Sequence, residues 1–273
     1  MTDRTIELIK QFKPEPVDIP INKCELEEAV EAIYTSMFPV CECDGTTSVS
    51  KELYDALEKL HKNITKRTNK PTADRVVESF MESLPKIRHR LFKDAHCYVA
   101  SDPAAKSIEE VILTYPGFFA LSIHRLAHLL HKLGKPLIAR YFSEYAHSKV
   151  GIDIHPAAKI GKNLFMDHGT GIVIGETCEI GNNVKIYQGV TLGALYVEKK
   201  LSDVKRHPTV EDNVVIYANA TILGGNTIVG HDSTIGGGAW LTKSVIPYSR
   251  VYNSVDVKIR TAKDFNSNYD YFI

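Results

Sequence analysis

An aliphatic residue returns at every sixth position through most of the stretch 154–241. Such a period is typical of a parallel β-helix, in which each strand of a triangular prism turns one large side chain inward. The spacing shifts across 166–174, 193–209 and 222–229, so we expect irregular corners there. The predicted inward positions are Ile154, Ile160, Met166, Ile174, Ile180, Ile186, Leu192, Val210, Ile216, Ile222, Val229, Ile235 and Leu241.

Glycine or asparagine stands between many of these predicted strands. Both residues suit corners where the backbone needs left-handed angles, and we expect Asn163, Asn182 and Asn183 at such corners. Each coil would cover the aliphatic layer of the next, so stability would accumulate by stacking.

The first half of the chain carries the three- and four-residue hydrophobic spacing of amphipathic helices. Pro85 is expected to break or restart the third of them. Ser107 and Glu110 form a capping box, which predicts a helix start at that point. The predicted helical faces lie at 26–37, 53–64, 76–84 and 118–133.

These patterns predict an α+β protein in three parts. Residues 1–148 form an all-helical N-terminal domain for packing or oligomerisation, 149–247 a parallel β-helix, and 248–273 a C-terminal tail. Any catalytic chemistry is expected in the β-helix, because the helical pattern specifies none.

Charge and composition exclude several classes of function. Lys plus Arg and Asp plus Glu both number 33, and a net charge of zero argues against nucleic-acid or anionic-membrane binding. No apolar run approaches the ~20 residues of a membrane span, and Met1 to Phe12 lacks the apolar core of a signal peptide. Five cysteines without a dense framework predict reduced thiols and a cytoplasmic protein.

Two clusters have some capacity to bind metal, and we predict no metal site at either. Cys41 and Cys43, with Cys24 upstream, match no usual zinc spacing. His124 and His128 lie one helical turn apart, but the surrounding helix is core-like, which favours packing or hydrogen-bonding histidines.

Polar residues cluster where the repeat is irregular. Because one coil takes about eighteen residues, Asp153 and His168 can lie near each other on adjacent coils. An aspartate beside a histidine fixes the imidazole tautomer and creates a general base, although an Asp–His pair at a solvent corner is an equal alternative. Arg206 and His207 end a charged interruption, a common place for binding groups. Asp102 precedes a proline, which by itself favours a turn or cap residue.

Several strings of residues carry a family resemblance over roughly residues 100–247. They are Tyr115-Pro116-Gly117-Phe118, His124-Arg125-Leu126-Ala127-His128, Asp153-Ile154-His155-Pro156-Ala157, Met166-Asp167-His168-Gly169-Thr170-Gly171, Gly175-Glu176-Thr177, Gln188-Gly189-Val190-Thr191-Leu192-Gly193, Arg206-His207-Pro208 and Ile222-Leu223-Gly224. With them the sequence closely resembles the serine O-acetyltransferases. The resemblance implies a left-handed parallel β-helix of hexapeptide repeats, an exception to the usual crossover hand. It also implies trimers that pair into hexamers through the helical domains, with active sites between neighbouring prisms.

The resemblance also implies roles for individual residues. His168 matches the family's general base, and Asp153 matches the carboxylate that orients it. The implied substrate contacts are Asp102 and Asp167 to the amine, Arg206 to the carboxylate, and His207. Contacts to the co-substrate acetyl-CoA are implied at Gly193, Ala194, Ala218 and Lys243.

The implied reaction transfers the acetyl group of acetyl-CoA directly to the hydroxyl of L-serine, as a step of cysteine biosynthesis. Cys178 falls on a small, buried repeat position, so we expect no acetyl-cysteine intermediate. Two alternatives remain: a hexapeptide-repeat acetyltransferase for homoserine, an amino sugar or an antibiotic, and a non-catalytic solenoid scaffold. Homoserine differs by one methylene, about 1–3 kcal/mol of binding, which the sequence does not resolve.

The chain ends in an apolar tail that closes on Ile273. In the resembling family a C-terminal isoleucine inserts into the active site of O-acetylserine sulfhydrylase, so the resemblance implies that enzyme as a partner. The alternative is a disordered or self-packed tail.

Overall fold

The computed structural model of the protein describes residues 1–13, 17–39, 46–195 and 204–253, with side chains from residue 51 onward in the third range. Cys41, Cys43 and the tail to Ile273 lie outside these ranges, and so do the predictions made for them. No helix in the described ranges is long and apolar enough to cross a membrane. The helices are α1 Asp3–Gln11, α2 Lys23–Met37, α3 Thr46–Thr65, α4 Lys70–Ser101, α5 Ile108–Thr114, α6 Pro116–Lys132 and α7 Pro136–Val150.

Side-chain caps start several of these helices. Asn22 accepts a hydrogen bond from the N–H of Glu25 at 3.2 Å, and Ser107 accepts one from the N–H of Glu110 at 3.2 Å. Each bond satisfies a backbone donor that has no partner within the helix. The helix start predicted at Ser107 is confirmed.

The expected break at Pro85 is wrong, because α4 runs for 32 residues through that proline. Pro85 is exposed, while Leu84 and Leu91 on the opposite face lie in the helical core. A proline costs one helical hydrogen bond and crowds the preceding turn. Packing of the buried face on both sides of Pro85 offsets that cost.

The second half of the chain is a β-helix of very short parallel strands. Every predicted inward aliphatic lies in a strand and is buried, except Leu241, which is half-buried near the end of the ladder. In the described residues the strands are β1 Asp153–Ile154, β2 Lys159–Ile160, β3 Phe165–Asp167, β4 Val173–Ile174, β5 Glu179–Ile180, β6 Lys185–Tyr187, β7 Thr191–Gly193, β8 Thr209–Val210, β9 Val215–Ile216, β10 Thr221–Leu223, β11 Ile228–Val229, β12 Thr234–Ile235, β13 Trp240–Leu241 and β14 Arg250–Val251.

The strands stack into three sheets that form the sides of the prism. Sheet 1 has the order β1-β4-β7-β10-β13, sheet 2 the order β2-β5-β8-β11, and sheet 3 the order β3-β6-β9-β12-β14. Asp153 pairs with Val173 and Val173 with Thr191, so the first two coils advance by 20 and 18 residues. Strand β14 extends sheet 3 to Val251, beyond the predicted end of the repeats at residue 247.

The three corners of the prism differ in composition, and we name them by their side chains. The corner between sheets 3 and 1 follows β3 and is called the histidine edge. The corner between sheets 1 and 2 follows β4 and is called the arginine edge. The corner between sheets 2 and 3 is called the asparagine edge.

The asparagine edge is a ladder of left-handed corners. Asn163, Asn183 and Asn213 have φ angles of 56°, 57° and 59°, as predicted for the first two. The amide of Asn163 donates to Asn183 at 2.8 Å, and the amide of Asn183 donates to Asn213 at 3.0 Å. Asn182 differs from the prediction: its φ is not positive, and its side chain instead accepts from the N–H of Lys162 at 3.0 Å.

The helices and the β-helix share a seam, in which each supplies residues to the core of the other. Ala120 and Leu121 of α6 are buried in the aliphatic core of the β-helix. Phe165 of β3 is buried in the helical core, where its ring meets that of Tyr98 edge-on at 4.9 Å between centroids. The helical region therefore positions the first coils, where the candidate site lies.

Candidate active site

The helices fix the strand that precedes the histidine edge. The N–H of Met166 donates to the hydroxyl of Tyr98 at 3.1 Å, which ties β3 to α4. At the start of α6, a Cβ on Gly117 would lie 2.3 Å from the carbonyl oxygen of Met166, so only glycine allows this approach. Asp167 and His168, which follow directly, are therefore set by two helices.

His168 stands out from this corner on a strained backbone. Its φ is 55°, a left-handed value that is uncommon for a residue with a side chain. Its N–H donates to the carboxylate of Asp167 at 2.9 Å, and its Nε2 lies 3.8 Å from the same carboxylate. The His168 side chain is 71% exposed, against 19% for Asp167. The imidazole is thus presented to solvent while its neighbour is held in place.

Asp102 lies at the same edge, brought there by the end of α4. Tyr115 donates its hydroxyl to one oxygen of Asp102 at 2.6 Å, and the N–H of Ala104 donates to the other at 2.8 Å. These two bonds, in that order, lower the pKa of Asp102. Burial and the Asp102 carboxylate raise the pKa of Tyr115 to about 12, so Tyr115 remains a donor.

At the arginine edge, Thr177 binds the backbone of the segment that leads into β8. Its hydroxyl oxygen accepts from the N–H groups of Arg206 and His207, at 2.9 and 3.0 Å. The N–H of Thr177 donates to Nδ1 of His207 at 3.1 Å, so the proton of the neutral ring is on Nε2. A Cβ on Gly175 would lie 2.0 Å from the ring, which makes glycine a requirement for this position of His207.

The charged groups of the arginine edge form a partly buried pair. Arg206 pairs with the carboxylate of Glu176. Although burial opposes ionisation, the bond from Arg206 lowers the pKa of Glu176. Burial lowers the pKa of His207 to about 4, with Arg206 contributing, and burial likewise lowers the pKa of His155 to about 4. Both imidazoles are therefore neutral at physiological pH.

The predicted site residues divide between the two edges. Asp102, Asp167 and His168 lie at the histidine edge, and the turn that contains Ala218 lies at the same corner higher along the prism. The residues at the arginine edge are Gly193, Ala194, Arg206, His207 and Lys243. The outer face of sheet 1 separates the two groups within one chain.

Asp153 lies in β1, on the outer face of sheet 1. In one chain its carboxylate clusters with Glu144 and His147 of α7, with one ligand atom of each residue within 4.8 Å of the others. No hydrogen bond or ion pair joins Asp153 to His168 among the described residues. The three clustered side chains have the types and spacing that could hold a metal ion.

Three residues that shape the site had no assigned role in the sequence, namely Tyr115, Glu176 and Thr177. All three fall within the strings that carry the resemblance, which was the available signal. Cys178 is buried as predicted, and burial raises the pKa of its thiol to about 12, so it carries no thiolate.

Comparison with known proteins gives close relatives, although no protein-family model matches the chain. A serine acetyltransferase of Synechococcus elongatus is 52% identical over 178 residues, which cover 63% of this chain and 56% of that protein. A serine acetyltransferase of Bacillus licheniformis is 50% identical over 161 residues, which cover 59% of this chain and 72% of that protein. The match thus spans little more than half of the cyanobacterial protein.

Solved structures extend the similarity over nearly the whole chain. Serine acetyltransferase isoform 3 of Entamoeba histolytica, in complex with cysteine, has a TM-score of 0.78 and 33% identity, and the match covers 94% of this chain and 92% of that one. The Neisseria gonorrhoeae serine acetyltransferase, in complex with serine, has a TM-score of 0.60 and 28% identity, and the match covers 85% of this chain and 95% of that one.

The fold is therefore that of an acyltransferase built on a left-handed β-helix of hexapeptide repeats. The sequence identity and the coverage of these relatives also identify the family within this class of acyltransferases. The chain belongs to the serine acetyltransferase family.

Proposed function

We propose that the protein transfers the acetyl group of acetyl-CoA to the hydroxyl of L-serine in a site assembled from two copies of the chain. The histidine edge of one copy would face the arginine edge of its neighbour. The relatives named above support the reaction, since they are serine acetyltransferases. The division of the predicted site residues between two edges supports the composite site.

One observation carries the choice of an amino-acid acceptor. The histidine edge presents carboxylates at Asp102 and Asp167, and the arginine edge presents the guanidinium of Arg206. A free amino acid carries an ammonium and a carboxylate a few bonds apart, and the two edges supply the complementary charges. An amino sugar or an antibiotic lacks the carboxylate that Arg206 would pair with.

His168 would act as the general base. A serine hydroxyl is a weak nucleophile at neutral pH and needs a base within hydrogen-bond reach. His168 takes the hydroxyl proton while the oxygen attacks the thioester carbonyl, and a backbone N–H, that of Ala194, stabilises the oxyanion. The imidazolium then returns the proton to the departing CoA thiolate. Transfer is direct, in agreement with the protonated Cys178 thiol.

Asp153 keeps its proposed role as the carboxylate that orients His168. Because one chain clusters Asp153 with Glu144 and His147, this role requires the assembled site. Gly193, Ala194, Ala218 and Lys243 are proposed to line the path of acetyl-CoA. They too lie on both edges, so the co-substrate would run along the junction between the two copies.

The assembly, the partner and the compartment follow as proposals from the same family membership. We propose a trimer in which each junction holds one site, with helical regions pairing two trimers. Ile273 is proposed to bind O-acetylserine sulfhydrylase, and the protein is proposed to work in the cytoplasm, without a metal ion.

The direct test is CoA release from acetyl-CoA with L-serine, L-homoserine, glucosamine or no acceptor. We expect release with L-serine, and a loss in kcat of about 10²–10⁴ in His168→Ala. Release only with another acceptor would contradict serine as the substrate and keep the mechanism. No release of CoA with any acceptor would favour the non-catalytic scaffold.

A further inference from the structure

A cavity lies on the seam between the helices and the β-helix. It has a volume of about 450 Å³ and opens between α4, α6 and β2. None of the residues proposed for acetyl transfer, all of them described by the structure, lines it. Its lining includes the basic residues Lys86, Arg90, His124, Arg125, Lys132 and Lys159. We call it the seam cavity.

The lining of the seam cavity is strongly cationic. Five of its side chains are lysine or arginine, and none of its lining residues is acidic. Arg125 is paired with the buried Asp94, and Lys159 with Glu179. The other three, Lys86, Arg90 and Lys132, form no salt bridge within the described ranges, although Arg90 interacts electrostatically with Asp94. Like charges gathered in a concave site repel one another, and a bound anion relieves that repulsion.

Two of the residues that line the seam cavity each carry a buried polar atom without a partner. His124 is 3% exposed, and its Nδ1 has no hydrogen-bond partner in the described structure. The Nε atom of Arg90 is likewise buried and unpartnered, although another nitrogen of that guanidinium donates to the carbonyl of Ile160 at 2.8 Å. Unsatisfied buried polar groups are rare in folded proteins because each costs about 1–3 kcal/mol. Both residues line the seam cavity.

The chemistry selects an anion over a metal ion. His124 and His128 are one helical turn apart, the spacing that raised the question of a metal site. Burial lowers the pKa of His124 well below its ordinary value, with His128 and Arg125 contributing, so the neutral ring can donate one N–H. A divalent cation would be repelled by the surrounding lysines and arginines.

We propose that the seam cavity binds a small molecule that carries a phosphate group. Guanidinium and ammonium donors suit phosphate oxygens. The cavity is larger than inorganic phosphate needs, so a phosphorylated metabolite fits its size. Because the lining comes from α4, α6 and β2, the ligand bridges the helical region and the β-helix and stabilises their contact.

Thermal unfolding of the full chain tests this proposal, with inorganic phosphate, pyrophosphate and ATP as probes at constant ionic strength. We expect at least one probe to raise the Tm of the wild type in a saturable way, beyond the effect of matched KCl. In the double variant Lys86→Gln/Lys132→Gln, the half-maximal concentration should rise about 10-fold or more. Both lysines are exposed at the rim, so the variant should fold normally.

Lys93→Gln is the matched control, because Lys93 is exposed on the same helix and does not line the cavity. It should respond as the wild type does. Arg90→Gln, measured by isothermal titration with the same probes, gives a second and deeper variant, in which we also expect weaker binding. The proposal would be overturned by equal responses in the wild type, Lys86→Gln/Lys132→Gln and Arg90→Gln, or by no response beyond that to KCl.

Discussion

The histidine and arginine edges of the prism are built in opposite ways. At the histidine edge, the reactive side chain is largely exposed on a left-handed backbone and is held in place by helices. At the arginine edge, Thr177 and Gly175 lock a buried His207, and Arg206 already has a partner in Glu176. The histidine edge exposes its reactive side chain to solvent, whereas the side chains of the arginine edge are already hydrogen-bonded within the chain.

This difference supports the proposal that neither edge is a complete site by itself. The histidine edge carries the proposed base and the carboxylates for the substrate ammonium, whereas Arg206, the proposed partner of the substrate carboxylate, lies at the arginine edge. Function in this account depends on bringing two unlike edges together, and the asparagine edge, which carries no predicted site residue, serves as an internal reference.

Among substitutions that leave the base His168 in place, the largest effect should come from removing the guanidinium of the arginine edge. Arg206→Gln loses the charged partner of the substrate carboxylate and leaves Glu176 unpaired to repel it. We expect kcat/KM for L-serine to fall about 100-fold, as for the loss of a charged hydrogen bond of roughly 2–3 kcal/mol.

Lys205→Gln is the control for that experiment. Lys205 is the adjacent cation, and its ammonium donates to the carbonyl of Thr177 at 2.9 Å. Its loss should change kcat/KM little. Equal losses in the two variants would mean that general positive charge, and not the specific position of Arg206, supports activity.

A smaller effect is expected at the histidine edge from Tyr115→Phe. This change removes the hydrogen bond that contributes most to lowering the pKa of Asp102, and leaves the ring in place. We expect the pKa of Asp102 to rise and kcat/KM for L-serine to fall about 5-fold, which corresponds to roughly 1 kcal/mol. Steady-state kinetics and titration of the carboxylate by NMR measure the two changes, and an unchanged Asp102 pKa would contradict the assignment.

Two histidines of the arginine edge, the buried His207 and the half-buried His155, should make stability depend on pH. His155 and His207 have pKa values of about 4 in the folded chain, against the ordinary 6.5. Between these values the unfolded chain binds more protons, so the free energy of unfolding falls as the pH decreases from 6.5 towards 4. Urea unfolding at about pH 7.5 and pH 5 should show this fall, and His207→Gln should reduce it. An equal fall in that variant would count against His207.

The smallest effect is expected at the asparagine edge. Asn183→Ala keeps the strands but loses two side-chain hydrogen bonds and places alanine at a positive φ. We expect a loss of about 1–2 kcal/mol in the free energy of unfolding and an unchanged kcat. Asn183→Gly, which accepts the backbone angle, should lose less. A fall in kcat larger than the loss of folded protein would show that this edge contributes to catalysis.

The sequence specified the β-helix well because its period acts directly on backbone geometry. Because one side chain must point inward every six residues, the period alone identifies each strand and its inward residue. The inward residues from Ile154 to Leu241 could therefore be assigned without knowledge of contacts. The helix through Pro85 could not be predicted, because its continuity depends on Leu84 and Leu91 packing against distant elements.

The candidate residues were also identifiable, but their separation was not recognised. His168 and Glu176 each follow an inward residue by two positions, Met166 and Ile174, and successive strands lie on successive sides of the prism. That count already places them at different corners. The roles of Tyr115 and Thr177 were not predictable, because both depend on hydrogen bonds that the fold makes between separate segments of the chain.

The composite site is tested most directly by co-expressing His168→Ala chains with Arg206→Gln chains. Each variant alone should be nearly inactive, but in randomly mixed trimers about one quarter of the junctions would carry an intact histidine edge and an intact arginine edge. We therefore predict recovery to about one quarter of wild-type activity. If both edges of one chain formed the site, the mixture would stay inactive. A chain with both substitutions mixed with wild type would then retain about one half of the activity, where the composite site predicts about one quarter.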